Sequence, residues 1–199
     1  MDLFDENPRE FNFGTCKALL HKAFLSKDQE DWLFDNLITE IDWIQEEIKF
    51  MGKIHPLPRL TSWHSISGKS YTYSGIKVSP KKYNEVISRL NKKIELLSGM
   101  EFNCVLLNYY RDGNDKVSWH ADDEKSLGET VNVASLSLGE TRNFQVKRAD
   151  GQGEVKNILL EGGDLLIMEH PFQNEMLHQI PKTQKKINSR INLTFRLMK

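Results

Sequence analysis

Residues 190–197 near the C-terminus read RINLTFRL, and polar and apolar side chains alternate strictly along this stretch. The even-numbered positions carry Arg190, Asn192, Thr194 and Arg196, and the odd-numbered positions are apolar. A period of two residues predicts a β-strand with one polar and one apolar face. By itself the pattern is typical of a strand whose polar face lies in water. Two arginines on one face would equally suit a small dianion, because guanidinium groups bind carboxylates in a bidentate manner.

The residues between 100 and this strand also favour β-structure. Strand-like segments follow one another there, separated by Gly-containing turns such as RDGND, DGQG and EGGD. Strands without intervening helices predict an antiparallel sandwich or jelly roll. The predicted strands lie in EFNCVLLNYY, VNVASLSL, RNFQVKR, VKNILL, DLLIM, EMLHQI and RINLTFRLM.

The first hundred residues combine two helices with short strands. Ser26 suits the N-cap of a helix through KDQEDWLFDNLITEI, and Ser79-Pro80 and Gly99 bracket a second helix with one apolar face. The segment between them, WIQEEIKFMGKIHPLPRLTSWHSISGKSYTYSG, predicts short strands joined by turns. We therefore expect a single, mainly β domain with flanking helices, in which an N-terminal α/β extension (residues 1–100) precedes a jelly-roll core (residues 101–199).

Composition limits the class of protein. The chain has 199 residues, of which 39% are hydrophobic, and its 27 Lys and Arg against 28 Asp and Glu give a net charge of −1. Nucleic-acid binding would therefore need a local basic patch. The two cysteines, Cys16 and Cys104, form no CxxC pair, and neither a secretory signal nor a run of about 20 apolar residues is present. We expect an intracellular monomer without membrane contact, cytoplasmic in a bacterium and nuclear in a eukaryote.

The segment VSWHADDEKSLG, residues 117–128, places His120 two positions before Asp122. On a strand, residues i and i+2 share a face, so an imidazole and a carboxylate could bind one metal ion. Alone, His-x-Asp more often forms a surface ion pair or a turn cap. His178 completes a 2-His-1-carboxylate set, the ligand type of non-haem Fe(II) oxygenases. Asn108 and Tyr110 add a second polar strand face just before the His120 hairpin.

Taken in order, these motifs resemble the AlkB family of Fe(II)- and 2-oxoglutarate-dependent nucleic-acid demethylases, and most closely its branch that repairs alkylated DNA. The resemblance extends from about residue 50 to the C-terminus. It rests on the segments NYYRDGNDKVSWHADDEKSLG, SLSLGETRNF, HPFQNEMLHQIP and RINLTFR, with PRLTSWHSISGKSYTYSG resembling the nucleotide-recognition strands.

This resemblance implies a double-stranded β-helix core in which His120, Asp122 and His178 bind catalytic Fe(II). It also implies that O2 is consumed, with ascorbate as the reductant in vitro. Arg196 is expected to bind the 2-oxoglutarate carboxylate near the metal, and Arg190, helped by Tyr110, the distal one. The complete implied co-substrate set is Asn108, Tyr110, Arg190, Asn192, Thr194 and Arg196.

The resemblance further implies demethylation of 1-methyladenine and 3-methylcytosine in DNA, with release of formaldehyde and succinate. Aromatic residues are expected to stack on an extruded base, whose extrusion is least costly when methylation already prevents pairing. Met51, with Phe50, aligns with an apolar wedge, and Arg59, Lys182, Lys185 and Lys186 suit phosphate contacts. The implied substrate set is Tyr71, Tyr73, Ser74, Asp123, Met51 and Arg59.

Three other functions fit the same pattern. An RNA demethylase would use identical chemistry, and single- or double-stranded substrates are not distinguished by the sequence. A non-catalytic nucleic-acid-binding module would share the fold but is expected to have lost metal ligands. A protein hydroxylase is disfavoured by the YTYSG segment, residues 71–75.

Overall fold

The computed structural model describes residues 8–50, 52–69, 71–73 and 76–199, and for residues 49, 50, 71–73 and 76–78 it describes the backbone only. Within these ranges, seven antiparallel strands form a major sheet in the order β1–β2–β13–β10–β15–β8–β5. Their bounds are β1 (Arg9–Asn12), β2 (Lys17–His21), β13 (Leu165–Met168), β10 (Val133–Gly139), β15 (Arg190–Arg196), β8 (Cys104–Tyr110) and β5 (Leu60–Ser65).

A minor sheet of four antiparallel strands and two small ribbons complete the β-structure of the described residues. The minor sheet has the order β12–β11–β14–β9, and each ribbon is a pair of short strands. The bounds are β12 (Lys156–Leu160), β11 (Arg142–Arg148), β14 (Met176–Ile180) and β9 (Val117–His120) for the sheet, and β3 (Glu47–Phe50), β4 (Lys53–Pro56), β6 (Tyr71–Tyr73) and β7 (Ile76–Val78) for the ribbons.

Two hydrophobic clusters place these layers relative to one another. One cluster joins residues of the major sheet, such as Leu106, to residues of the minor sheet, such as Val146 and Ile158, so the two sheets form a sandwich. The other joins the opposite face of the major sheet to helices α1 (Lys27–Glu40) and α2 (Glu85–Ser98). A one-turn helix, α3 (Phe172–Glu175), leads into β14. The predicted jelly-roll core with flanking helices is therefore confirmed.

The last strand shows how sequence alternation and burial combine. Every residue of β15 is buried, so the half-exposed strand that its pattern suggested by itself is wrong. Ile191, Leu193 and Phe195 pack in the cluster between the sheet and the helices. The alternating polar residues face the space between the two sheets instead. A row of buried polar groups requires partners there, because unpaired polar groups are costly away from water.

The helix predictions are correct at both ends of α1, which is followed by its C-cap Ile41, and at the C-terminal end of α2. Ser26 caps α1 through a reciprocal capping box with Gln29, and Gly99 closes α2 with a left-handed backbone (φ 68°). The predicted start of α2 at Ser79-Pro80 is wrong, because Asn84 caps this helix. The residues before Asn84 pair with β5 instead: Lys81 N–H donates to Trp63 O at 2.9 Å, which removes that backbone from a helix.

Strands of the N-terminal half extend the jelly roll. The predicted short strands between residues 43 and 75 are present as β3 to β6, and β7 follows directly after that segment. Strands β1 and β2 were not predicted, and β2 joins the major sheet by pairing with β13.

The division of the chain at residue 100 stays a prediction. None of the described helices has the length and apolar character that a membrane crossing requires.

Candidate metal and co-substrate site

Three predicted metal ligands meet between the sheets. His178 on β14 lies directly opposite His120 on β9, and their ring centroids are 4.2 Å apart. Asp122 joins them, and candidate ligand atoms of all three residues lie within 4.8 Å of one another. The expectation that His120 and Asp122 share one strand face is wrong, because β9 ends at His120 and Asp122 lies in the irregular segment that follows.

Surrounding residues orient the two imidazoles. Nδ1 of His120 donates a hydrogen bond to Ser118 O at 2.8 Å, which leaves Nε2 free to bind a metal. The ring of Phe144 stacks against His178 with centroids 5.1 Å apart and an interplanar angle of 26°. Burial lowers the pKa of His178 to about 3, so this imidazole is neutral at physiological pH and available as a ligand.

Asp122 is held from two sides. Its backbone N–H donates to Gln173 Oε1 at 3.0 Å, and its Oδ1 accepts a hydrogen bond from Arg196 Nη2 at 2.7 Å. Burial by itself would raise the pKa of this carboxyl, but the Arg196 guanidinium and both imidazoles lower it to about 2. Its other oxygen, Oδ2, is buried without a hydrogen-bond partner among the described residues. Two imidazoles and an ionised carboxylate with a free oxygen fit Fe(II).

The polar face of β15 extends from this cluster along a cavity of about 860 Å³. Arg196 stands at the metal end, and Arg190 lies at the other end of the strand, where its Nη2 donates to Ser137 Oγ at 2.9 Å. Nε and Nη1 of Arg190 are buried without a hydrogen-bond partner among the described residues. Burial lowers the pKa of Arg190 to about 10. A buried guanidinium with unused donors suits an incoming carboxylate.

The remaining members of the predicted co-substrate set line the same cavity. Asn192 donates to Ser135 Oγ at 2.8 Å, and Thr194 donates to Asn192 Oδ1 at 2.9 Å. The guanidinium of Arg190 lies over the Tyr110 ring, 5.2 Å from its centroid. The structure thus brings together all six predicted co-substrate residues, although their contact with 2-oxoglutarate stays a prediction. Those six are Asn108, Tyr110, Arg190, Asn192, Thr194 and Arg196.

Comparison with known proteins agrees with this geometry. A sequence profile of the 2OG-Fe(II) oxygenase superfamily matches residues 17–196. DNA oxidative demethylase ALKBH2 is 34% identical over 186 residues in Bos taurus and 32% over 186 residues in Homo sapiens. These matches cover 88% of this chain, and 67% and 71% of the relatives.

The chain belongs to the AlkB family of this superfamily. A further relative, the Rattus norvegicus alpha-ketoglutarate-dependent dioxygenase alkB homolog 3, is 36% identical over 198 residues, or 92% of this chain and 64% of the relative. The chain thus spans about two thirds of the length of these AlkB proteins. The structure of OsALKBH1 shares the fold, with a TM-score of 0.67 at 20% identity over 95% of this chain and 100% of that one.

Family membership confirms the resemblance seen in the sequence and implies an oxygenase that uses Fe(II) as its cofactor and 2-oxoglutarate and O2 as co-substrates. The metal cluster is complete, whereas the non-catalytic alternative predicted damaged ligands. Sequence reasoning missed Gln173, which holds the backbone of Asp122 from α3 and is 2% exposed. Its only signal was a position nine residues after Asp164 and five before His178, which carries no chemical meaning until the chain folds.

The predicted substrate residues are only partly placed. Asp123 lines the cavity and is exposed. Arg59, expected to contact phosphate, is instead 7% exposed within the cavity wall, where its Nε donates to Asn108 Oδ1 at 2.7 Å. Lys182, Lys185 and Lys186 are exposed, as a phosphate contact requires. The expectations for Met51, Ser74 and the side chains of Phe50, Tyr71 and Tyr73 lie outside the described residues.

Proposed function

We propose that this protein oxidatively demethylates N-alkylated bases in DNA, with 1-methyladenine and 3-methylcytosine as substrates. One observation carries the proposal: a complete 2-His-1-carboxylate cluster and a buried two-arginine strand face share one open cavity. At about 860 Å³ the cavity lies toward the upper end of ordinary ligand sites, roughly 300–1,000 Å³. It therefore offers room for 2-oxoglutarate beside the metal cluster and for part of a base. Two ALKBH2 relatives bear the name DNA oxidative demethylase.

Bound Fe(II) would couple the oxidation of 2-oxoglutarate by O2, which yields succinate and CO2, to hydroxylation of the N-methyl group. The hydroxymethyl product then loses formaldehyde and leaves the unmodified base. His120, Asp122 and His178 would hold the metal, and Arg196 keeps the Asp122 carboxylate ionised and oriented. Arg190 and Tyr110 at the far end of β15 and β8 would bind the distal carboxylate of the co-substrate.

The charge of the cavity rim supports a cationic base as substrate. Asp123 and Glu124 follow the metal ligand Asp122 directly and both line the cavity. A carboxylate there would attract the positive charge that N-methylation gives to these bases and would accept a hydrogen bond from their exocyclic amine. The same methyl group prevents Watson–Crick pairing, so extrusion of the damaged base is less costly than extrusion of a normal one.

Cellular location and DNA binding are also part of what we propose. The protein would act as a monomer inside the cell, where its two buried cysteines, Cys16 and Cys104, would stay reduced. Lys182, Lys185 and Lys186 contact the phosphate backbone, so DNA binding weakens steeply as salt increases.

The test is release of formaldehyde and succinate from oligonucleotides that carry 1-methyladenine or 3-methylcytosine. Single- and double-stranded DNA and RNA would be compared in the presence of Fe(II), 2-oxoglutarate and ascorbate. We expect turnover on DNA, its loss in His178→Ala, and full turnover in Arg148→Ala. Arg148 is a suitable control because it pairs with Asp150 on the protein surface.

Each outcome separates the alternatives. Faster turnover on RNA would replace DNA with RNA as the substrate and keep the chemistry. Decarboxylation of 2-oxoglutarate without demethylation of any oligonucleotide would refute the substrate, and a hydroxylated peptide product would then indicate a protein hydroxylase. An absence of decarboxylation in the wild-type protein would refute the enzymatic proposal as a whole.

A further inference from the structure

Arg142, the first residue of β11, is buried outside the cavity and has no part in the proposed function so far. Its side chain is 4% exposed. Nη2 donates to two backbone carbonyl oxygens, Asp115 O at 3.0 Å and Pro181 O at 2.6 Å, and Nη1 donates to Asp112 O at 3.4 Å. One guanidinium therefore binds two segments that lie more than 60 residues apart in the chain.

These two segments are loops that also contact each other directly. Residues 111–116 connect β8 to β9, and residues 181–189 connect β14 to β15. Thr183 N–H donates to Gly113 O at 2.9 Å, and a Cβ atom added to Gly113 would lie only 2.6 Å from Thr183 O. The backbones of the two loops are thus packed together, and Arg142 is bound to both of them.

The ends of the two loops carry the far end of the co-substrate site. Tyr110 immediately precedes the first loop, Arg190 immediately follows the second, and the two residues are direct partners across β8 and β15. The Tyr110 ring lies beside both guanidinium groups, 5.2 Å from that of Arg190 and 5.7 Å from that of Arg142. Any separation of the loops would therefore displace the aromatic ring and its neighbouring guanidinium.

We propose that Arg142 is a positioning residue for the co-substrate: it holds Tyr110 and Arg190 in the arrangement that binds the distal carboxylate of 2-oxoglutarate. This inference rests on the proposed co-substrate role of those two residues. Lysine cannot replace Arg142, because a single ammonium group lacks the planar fork that reaches several carbonyl oxygens at once. The metal cluster is independent of Arg142, which hydrogen-bonds none of its three ligands.

The experiment compares two ligands that differ only at the distal end. Isothermal titration calorimetry would measure the binding of 2-oxoglutarate and of 2-oxobutanoate, which lacks the distal carboxylate, to protein loaded with Mn(II) in place of Fe(II). The variants are Arg142→Met, Arg142→Lys and Gly113→Ala. Arg148→Met is the matched control, because Arg148 ends the same strand and pairs with Asp150 at the surface. Nucleic acid is absent, so the choice of DNA or RNA does not affect the result.

We expect both Arg142 variants to lose 2-oxoglutarate affinity on the order of tenfold, the lower end of what the loss of a supporting partner costs a ligand site. Affinity for 2-oxobutanoate should stay at its wild-type value. Gly113→Ala should show the same selective loss, because its Cβ forces the loops apart, and it keeps the test valid if Arg142→Met does not fold.

Three results would overturn the inference. The first is wild-type 2-oxoglutarate affinity in Arg142→Met or Arg142→Lys, and the second is an equal loss for both ligands, which would indicate general damage to the cavity. The third is a wild-type protein that binds 2-oxobutanoate as tightly as 2-oxoglutarate. In that case the roles assigned to Tyr110 and Arg190 fail first, and the role of Arg142 fails with them, whatever the demethylation assay shows.

Discussion

Replacing Arg196 with methionine tests the ion pair beside the metal cluster. Arg196 Nη2 and Asp122 Oδ1 are 2.7 Å apart, and the two side chains are only 3% and 5% exposed. Methionine has a similar length and no charge, so the Asp122 carboxylate would stay buried without its guanidinium. Breaking a buried pair by removing one partner costs about 3–5 kcal/mol.

The expected loss can be compared with the pKa of Asp122. Its lowering from 3.8 to about 2 in the folded protein corresponds to roughly 2–3 kcal/mol of stabilisation at neutral pH. The cost of breaking a buried ion pair and the lowered pKa of Asp122 both indicate that Arg196→Met loses several kcal/mol of unfolding free energy at pH 7. For a chain of this size such a loss lowers the melting temperature by on the order of 10 °C.

The assay is thermal and urea unfolding at pH 7 with EDTA present, so that no metal ion compensates the carboxylate. Asp122→Asn and the double variant Asp122→Asn/Arg196→Met complete a double-mutant cycle. We expect the double variant to be more stable than Arg196→Met, because it no longer buries an unpaired carboxylate. Arg148→Met is the matched control on an exposed pair and should change the melting temperature little. Equal melting temperatures for Arg196→Met and Arg148→Met would refute the reasoning.

Three further predictions concern other parts of the fold. Ser26→Ala should destabilise the protein by about 1 kcal/mol in urea unfolding, since it removes the capping box of α1, and Ser26→Asn should restore most of this loss. Burial raises the pKa of the Cys104 thiol to about 11 and also raises the pKa of the Cys16 thiol. Iodoacetamide at pH 8 should therefore label neither cysteine in the folded protein and both cysteines in denaturant. Labelling of the folded protein would show that these sites open. Burial opposes ionisation of Asp115, but Arg111 lowers the pKa of this carboxyl below its usual value. The stability that ionised Asp115 contributes is therefore present above about pH 4 and is lost as the pH falls through its folded pKa. The difference in unfolding free energy between wild type and Asp115→Asn should therefore shrink between pH 7 and pH 3, and a constant difference would contradict this account.

Local patterns were sufficient wherever one segment decides its own structure. The N-cap at Ser26 and the glycine at position 99 bound their helices through contacts within a few residues, so both were predicted correctly. The start of α2 was not, because the backbone at Lys81 is bound by β5, which comes earlier in the chain. Strand β2 was missed for a similar reason: KALLH has no strand alternation and becomes a strand by pairing with β13.

The sequence by itself determined the alternation of β15, and its resemblance to the AlkB family pointed to the jelly-roll core and to the three candidate metal ligands, because residue types and their order carry both signals. Only the tertiary structure decided that the polar face of β15 is buried, that Arg196 pairs with Asp122 and that Arg142 binds two distant loops. The two partners of the Arg196 ion pair lie 74 residues apart, and no local periodicity encodes such a contact. Antiparallel pairing brings the segments together, and burial then requires each charged group to find a partner.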